Sequence, residues 1–265
     1  LSARARRLPC LTLTTDFGYQ DAYVAAMKGV ILRAAPEARI VDISHGIAPQ
    51  AITEAGYVLA CAFPHFPAGT VHLVVVDPGV GTSRRLLAAR TKNHVFLAPD
   101  NGCLGLVFAV ESPLEVVQLP APDAGARVAP TFHGRDLLAP AAARLLLGAP
   151  LAEIGIPAAD PHPFPVPFPR REPDGRWRVT VLSVDRFGSL ILNFRDSDHP
   201  GGKTAPALEL AGRRLAFFVR TYGEAPEAEP VLLFNSSGFL EVAVPNGSAA
   251  QALGCARGEQ GWLTL

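Results

Sequence analysis

The chain has 265 residues, enough for one large domain or two of ordinary size. Because 49% of it is apolar, a core can be buried without disulfide or metal staples. Its 24 lysines and arginines balance its 24 aspartates and glutamates, which argues against nucleic acid or an anionic membrane as partner.

The basic run Arg4, Arg6 and Arg7 reads as a solvated tail, and its surroundings lack the apolar stretch of a signal peptide. No apolar run reaches bilayer-spanning length, so a cytoplasmic protein is expected. Cys10, Cys61, Cys103 and Cys255 show neither CxxC nor zinc spacing, and read as buried thiols in a reducing compartment.

From residue 8 to about 155, strand-like and helix-like patterns alternate. Residues 11–14 form a short apolar strand ending at Thr15-Asp16-Phe17-Gly18. Asp21 is placed to cap the following helix, whose buried stripe would hold Val24, Met27 and Ile31. A second strand is expected at 39–43 and a second helix at 51–61. Residues 71–76 are apolar apart from His72, as in a strand covered on both faces. An alanine- and leucine-rich helix is expected at 137–147. The alternation predicts a doubly wound, mainly parallel α/β domain over residues 1–160.

Proline then occupies every second position from 161 to 169, which excludes helix and central strand and predicts an extended connector over 161–173. Phe164 and Phe168 are expected to pack on a neighbouring surface. From 174 to 265 short strands alternate with Gly, Asn and Pro turns, and no clear helix is seen. A small all-β, barrel-like domain is predicted there.

In open α/β sheets, ligands bind beyond the carboxyl ends of the strands, where Asp16 and Asp77 fall. Asp77 opens Asp77-Pro78-Gly79-Val80-Gly81-Thr82-Ser83-Arg84, which is neither a GxxxxGK[ST] loop nor GxGxxG. By itself the segment fits a tight turn as well as a ligand crevice. His133, beside Gly134 at a helix entrance, is placed for proton transfer, or else is a turn residue next to a capping Asp136. His45 and His72 read as structural. His65, His94, His162 and His199 read as loop residues. With no HExxH pair, no catalytic metal is expected.

Taken together, these segments resemble the S-adenosyl-L-methionine hydroxide adenosyltransferases, relatives of the enzymes that fluorinate or chlorinate the same substrate. The resemblance runs from Leu11 to about Gly254. It is carried by Thr15-Asp16-Phe17-Gly18 with Asp21, Val41-Asp42-Ile43-Ser44-His45, Asp77-Pro78-Gly79-Val80-Gly81-Thr82, and Ala98-Pro99-Asp100-Asn101-Gly102. Phe132-His133-Gly134-Arg135-Asp136, Asp185-Arg186-Phe187-Gly188 and Asn235-Ser236-Ser237-Gly238-Phe239-Leu240-Glu241 complete it.

The resemblance implies hydrolysis of S-adenosyl-L-methionine to adenosine and L-methionine, by in-line attack of water on the ribose 5′ carbon and without a cofactor. Asp77, Arg84 and His133 match the family's catalytic residues. Asp16 matches the carboxylate that grips the ribose hydroxyls. Asp21 and Asp185 match the acids that hold the methionine ammonium, Ser236 a methionine-end contact, and Phe187 the second-domain loop. A homotrimer with sites at subunit interfaces is also implied. An unperturbed pKa of about 6.5 favours His133 as base, with Asp77 fixing the water and Arg84 orienting both.

Departures fall at Ser189, commonly Asn in relatives, and at Ser237, an arginine in some halogenating members. Halogenating members resemble Tyr-Pro-Ala-Thr-Gly where this chain has Asp77-Pro78-Gly79-Val80-Gly81, and lack the histidine at 133. An anionic Asp77 would repel a halide. A halogenase and a non-catalytic sensor of adenosine or S-adenosyl-methionine are the other two readings. Intact Asp77, Arg84 and His133 argue against the sensor, because binding alone needs no water-activating set.

Overall fold

Strand and helix alternate through the first half of the chain, as the apolar periods require. The computed structural model describes residues 10–122, 127–166, 168–198 and 205–265. Arg4, Arg6, Arg7, Pro167 and His199 lie outside these residues. The chain divides into two compact units, Leu1–Pro165 and Val166–Leu265.

The first unit runs β1 (Cys10–Thr15), α1 (Tyr23–Ala34), β2 (Arg39–Ser44), α2 (Ile52–Ala62), β3 (Val71–Val75), β4 (Leu86–Arg90) and β5 (Val95–Pro99). It continues through α3 (Gly105–Val110), β6 (Glu115–Gln118), α4 (Ala139–Leu146), α5 (Leu151–Ile154) and β7 (Ile156–Pro157). Its sheet has the order β2-β1-β3-β5-β4-β6-β7. The pairs β1/β2, β1/β3 and β3/β5 are parallel, whereas β4, β6 and β7 join antiparallel. The sheet is therefore mixed; the short link between β4 (ending at Arg90) and β5 (starting at Val95) is a hairpin and cannot make a parallel crossover.

Alternate residues of the central strands feed two cores. Leu11, Leu13, Leu73 and Val75 pack with Met27 and Ile31 of α1 and Leu138, Ala139 and Ala142 around the start of α4. Val74, Val76, Phe96 and Ala98 face Ala55 and Leu59 of α2 and Val107 of α3. Helices thus cover both faces, the doubly wound arrangement expected from the sequence. Asp21 does not cap α1; Ala22 holds the cap position without a side-chain bond. The stripe Val24, Met27 and Ile31 is buried as expected.

His72 and His45, read as structural, are fully or almost fully buried. His94 lies in the loop between β4 and β5, as expected, and is buried too, 5% exposed. Its Nδ1 lies 3.3 Å from His72 Nε2, and Thr12 Oγ1 lies 2.7 Å from His72 Nδ1. Among the cysteines, Cys103 and Cys255 are buried thiols, while Cys10 and Cys61 are half-buried.

The first part of the proline-rich stretch packs within the first unit. Phe164 is buried. A Cβ on Gly105 would come within 2.5 Å of the Phe164 side chain, so only glycine allows this seat. Phe168, by contrast, is 53% exposed. Arg85 clamps the stretch: its guanidinium donates to Asp100 Oδ2 (2.6 Å), Ala159 O (3.0 Å) and Asp160 O (2.6 Å). Asp100 Oδ1 accepts from His162 N–H at 2.6 Å.

The second unit contains β8 (Arg170–Arg171), β9 (Trp177–Val184), β10 (Leu190–Arg195), β11 (Ala207–Leu210), β12 (Arg213–Leu215), β13 (Val231–Phe234), β14 (Phe239–Ala243), α6 (Ala249–Leu253) and β15 (Gln260–Thr264). Its strands are antiparallel in the order β12-β11-β15-β9-β10-β14-β13, with β8 on β9. Residues 217–219, after β12, bond to β13: Leu232 N–H donates to Phe217 O and Val219 N–H to Leu232 O. The two sheet edges are joined, giving the barrel-like form that leaves few strand groups unpaired. Val181, Leu192, Phe194, Leu208, Leu240 and Leu263 fill it. The five-residue α6 was not expected. Ser248 Oγ caps it by accepting from Gln251 N–H, and Gly254 ends it at φ 61°.

Candidate active site

β1 and β3 are parallel neighbours, and the chain leaves β1 toward β2 on one side and reaches β3 on the other. Their carboxyl ends therefore flank a crevice at the switch point of the sheet. Asp16 follows β1 and Asp77 lies just past β3. Both line a cavity of about 450 Å³, together with Phe17, Asp21, Tyr23, Gln50, Val80, Phe132 and His133.

Asp77 is held by a two-point guanidinium fork. Arg84 Nε donates to Oδ1 at 2.8 Å and Arg84 Nη2 to Oδ2. Both side chains are largely buried, 6% and 11% exposed, so this pair is shielded from solvent screening. The loop between them folds back on itself through Val80 N–H to Asp77 O and Thr82 N–H to Gly79 O. Gly81 sits at φ 80°, and a Cβ there would meet Pro130 O at 2.8 Å. The loop can therefore lie against the segment carrying His133. Asn101 Nδ2 donates to Val76 O at 2.8 Å, fixing the strand end that carries Asp77.

His133 closes the trio. Its Nδ1 lies 2.9 Å from Arg84 Nη2. Guanidinium only donates, so Nδ1 must accept and the neutral ring carries its hydrogen on Nε2. Burial, and then the Arg84 charge, push the His133 pKa below its usual value; Asp77 and Asp136 oppose this. The ring sits at the entrance of a single π-helical turn, Gly134–Leu138, which runs into α4. Asp136 ties that turn to the preceding loop by accepting from Ala129 N–H at 2.8 Å, and it pairs with Arg135.

The sequence matches two family models over most of its length. These describe the SAM hydroxide adenosyltransferase N-terminal domain, over residues 11–155, and its C-terminal domain, over residues 179–261. The chain belongs to the SAM hydroxide adenosyltransferase family. A relative from Salinispora arenicola, named (R)-S-adenosyl-L-methionine hydrolase, is 41% identical over 95% of this chain and 96% of its own. A Thermus thermophilus protein of the same name is 39% identical over 92% and 95%. The crystal structure of an uncharacterized conserved protein from Thermotoga maritima superposes with a TM-score of 0.86 at 32% identity, covering 97% of this chain and all of that one.

Within this member of the family, the remaining predicted residues fall into two groups. Asp16 Oδ2 accepts from Gln50 N–H at 2.8 Å, which leaves further lone pairs on the carboxylate for a ligand. Asp21 lines the same cavity. Asp185 and Phe187 line a cavity of about 880 Å³ in the second unit, with Ser189, Tyr222, Asn246 and Ser248. Asp185 Oδ1 accepts from Phe187 N–H and Ser189 N–H, which fixes its orientation. Phe187 is 80% exposed. Ser236, on the exposed turn after β13, is not among the residues lining that cavity.

Sequence reasoning missed the aromatic wall. Phe17, Tyr23 and Phe132 meet with ring centroids 5.3 to 5.7 Å apart, and no sequence spacing connects them. It also gave Asn101 and Gln50 no part, although Asn101 stands in Ala98-Pro99-Asp100-Asn101-Gly102. Beside Asp185, buried Glu241 accepts from Tyr222 Oη at 2.9 Å. Burial raises the Glu241 pKa, and burial with the Glu241 hydrogen bond pushes Tyr222 up to about 12. Among the described residues no group of three His, Cys, Asp or Glu side chains could hold a metal ion. No helix among them is long and apolar enough to cross a membrane.

Proposed function

We propose that this chain hydrolyses S-adenosyl-L-methionine to adenosine and L-methionine, with the R epimer at sulfur as its substrate. The epimer follows the name of the Salinispora arenicola and Thermus thermophilus relatives, (R)-S-adenosyl-L-methionine hydrolase. The observation that carries the reading at the level of chemistry is the linked set Asp77, Arg84 and His133, with the first and last facing the crevice that Asp16 enters.

The sulfonium is already a good leaving group, so the enzyme's work is on the nucleophile. Asp77 keeps unshared lone pairs after Arg84 is bound, and it accepts the hydrogen bond of the attacking water. Holding that water in line with the 5′ carbon and opposite sulfur supplies up to roughly 7–11 kcal/mol. As the carbon–oxygen bond forms and the carbon–sulfur bond breaks, the sulfur keeps the electron pair and methionine departs. The oxygen then carries a strongly acidic proton, which even an arginine-paired carboxylate can take.

Asp77 is therefore assigned the proton, in place of His133, whose Nδ1 is occupied by an Arg84 donor. His133 in its neutral form holds Arg84, and Arg84 holds Asp77. Asp16 binds the two ribose hydroxyls. Asp21 and Asp185 hold the methionine ammonium, with Ser236 and Phe187 at that end. In this reading the chain works as a cytoplasmic homotrimer, the second unit of one copy completing the site of another.

The direct test is to incubate the protein with each sulfonium epimer separately, with chelator and without added halide, and to chromatograph the products. Adenosine and methionine from the R epimer are expected. No adenosine from either epimer, or a product that requires chloride, would overturn the assignment.

A further inference from the structure

The turn that presents Asp16 is braced from behind by groups that the proposed chemistry does not use. Thr15 is fully buried. Its Oγ1 lies 2.7 Å from His45 Nδ1 and accepts from Phe17 N–H at 3.3 Å. His45 is 1% exposed, and its Nε2 lies 3.1 Å from Asp42 Oδ1. The other Asp42 oxygen accepts from Lys28 Nζ at 2.7 Å. The Tyr19 ring covers His45 edge-on, with centroids 5.0 Å apart.

The polarity of this chain follows from its ends. A carboxylate only accepts, so Nε2 carries the imidazole hydrogen and Nδ1 is left as an acceptor. The Thr15 hydroxyl must then donate to Nδ1, which turns its lone pairs toward Phe17 N–H. One orientation satisfies Thr15, His45 Nδ1 and the backbone on the far side of Asp16, and leaves His45 Nε2 in ion-pair contact with Asp42 rather than in a well-aimed hydrogen bond. Two main-chain bonds act with it: Gly18 N–H donates to His45 O at 2.8 Å, and Gln50 N–H donates to Asp16 Oδ2 at 2.8 Å. The segment from His45 to Gln50 thus grips the Asp16 turn at both ends.

We propose that His45 is a positioning residue, which with Asp42 and Thr15 pre-aims Asp16 at the vicinal diol of the ribose. A merely satisfied core histidine would contribute stability alone. A brace on Asp16 makes a narrower demand, because its loss must be felt at the ribose hydroxyls and nowhere else on the ligand. The inference rests on the assignment of Asp16 to the ribose.

The test uses the full chain, with calorimetry of adenosine and of 2′,3′-dideoxyadenosine, plus steady-state kinetics. Thr15→Val keeps the shape and removes the hydroxyl, while Thr15→Ser keeps the hydroxyl. Asp42→Asn attacks the far end of the chain at a side chain that is partly exposed. Thr15→Val and Asp42→Asn should weaken adenosine about tenfold, on the order of one hydrogen bond to a charged group. Affinity for the dideoxynucleoside should stay unchanged, KM should rise, and kcat should stay within about twofold. Thr15→Ser should restore wild-type adenosine affinity.

Unchanged adenosine affinity in folded Thr15→Val and Asp42→Asn would overturn the proposal, as would equal weakening of both nucleosides. Asp16→Ala separates the two levels. If it loses adenosine affinity while the brace variants do not, only the brace is wrong. If Asp16→Ala itself binds adenosine normally, the ribose assignment falls.

Discussion

Arg84 touches both Asp77 and His133, and this decides how His133 can take up a proton. A second proton on His133 would have to sit on Nδ1, against the Arg84 guanidinium. Burial and that charge hold the His133 pKa below 6.5, so the neutral, working form persists below the ordinary histidine range. The kcat profile should accordingly be flat through pH 6.5 and fall only at lower pH. Arg84→Lys should lower kcat and move that fall up toward 6.5, because the two-point fork is lost and the charge is less closely held. Stopped assays across pH check both. Asp77→Asn should lower kcat by about 10²–10⁴-fold, the usual span of acid–base contributions, with little change in adenosine affinity. A residual rate near wild type would move the proton acceptor elsewhere. A second titration lies in the core. Burial, with a smaller effect of His94, lowers the His72 pKa to about 3. Between pH 6.5 and 3 the unfolded chain binds a proton there that the folded core refuses, so stability falls with pH across that window, by about 1.4 kcal/mol per unit. Above 6.5 this dependence vanishes. Urea titrations at pH 7 and pH 5 should show a steeper acid loss for the wild type than for His72→Gln.

At the scale of elements, the proline-rich stretch shows how a segment can be read in its local preferences and not in its placement. Alternating prolines remove backbone donors, and residues 161–166 and 168–169 form neither helix nor strand. Which of its two phenylalanines is buried depends on Gly105 and on the Arg85–Asp100 clamp, which come from distant parts of the chain. Phe164→Ala should cost about 3–5 kcal/mol, as for a large buried aromatic. Phe168→Ala should change stability by less than about 0.5 kcal/mol, as at an exposed position. Equal effects in denaturant titrations would show that burial is not what distinguishes them. The five residues of α6 were invisible for a related reason. Its propensity signal is too short to rise above the surrounding strands, although its cap Ser248 and its terminating Gly254 are both ordinary signals.

At the scale of the whole molecule, each unit carries part of the binding set proposed above. Asp16, Asp21, Asp77 and His133 line the cavity of the first, and Asp185 and Phe187 line that of the second. If copies complete one another's sites, the mass in solution should be three times 28.0 kDa. Specific activity should also fall on dilution to where light scattering shows dissociation. A fully active single chain would exclude the shared site. Exposed Phe187 is the side chain to change for this test. Phe187→Ser should raise KM by several-fold while leaving the monomer's unfolding midpoint close to wild type, because an exposed ring contributes little to its own fold.

Periodicity alone determined the α/β first domain and the all-β second one, because burying one face of each element fixes its apolar spacing whatever its partners are. The positions of Asp16 and Asp77 at strand ends were also legible, since an apolar run ending in an acid and glycines marks both the strand and its exit. The joint order of the motifs identified the family. What only the tertiary structure decided are contacts between residues far apart in sequence. Arg84 bonds to His133 across 49 residues, and Thr15 to His45 across 30. Nothing local marks such pairs, because their geometry is set by which strands lie side by side. The mixed sheet, the buried His72–His94 pair and the occupied Nδ1 of His133 all belong to that second class.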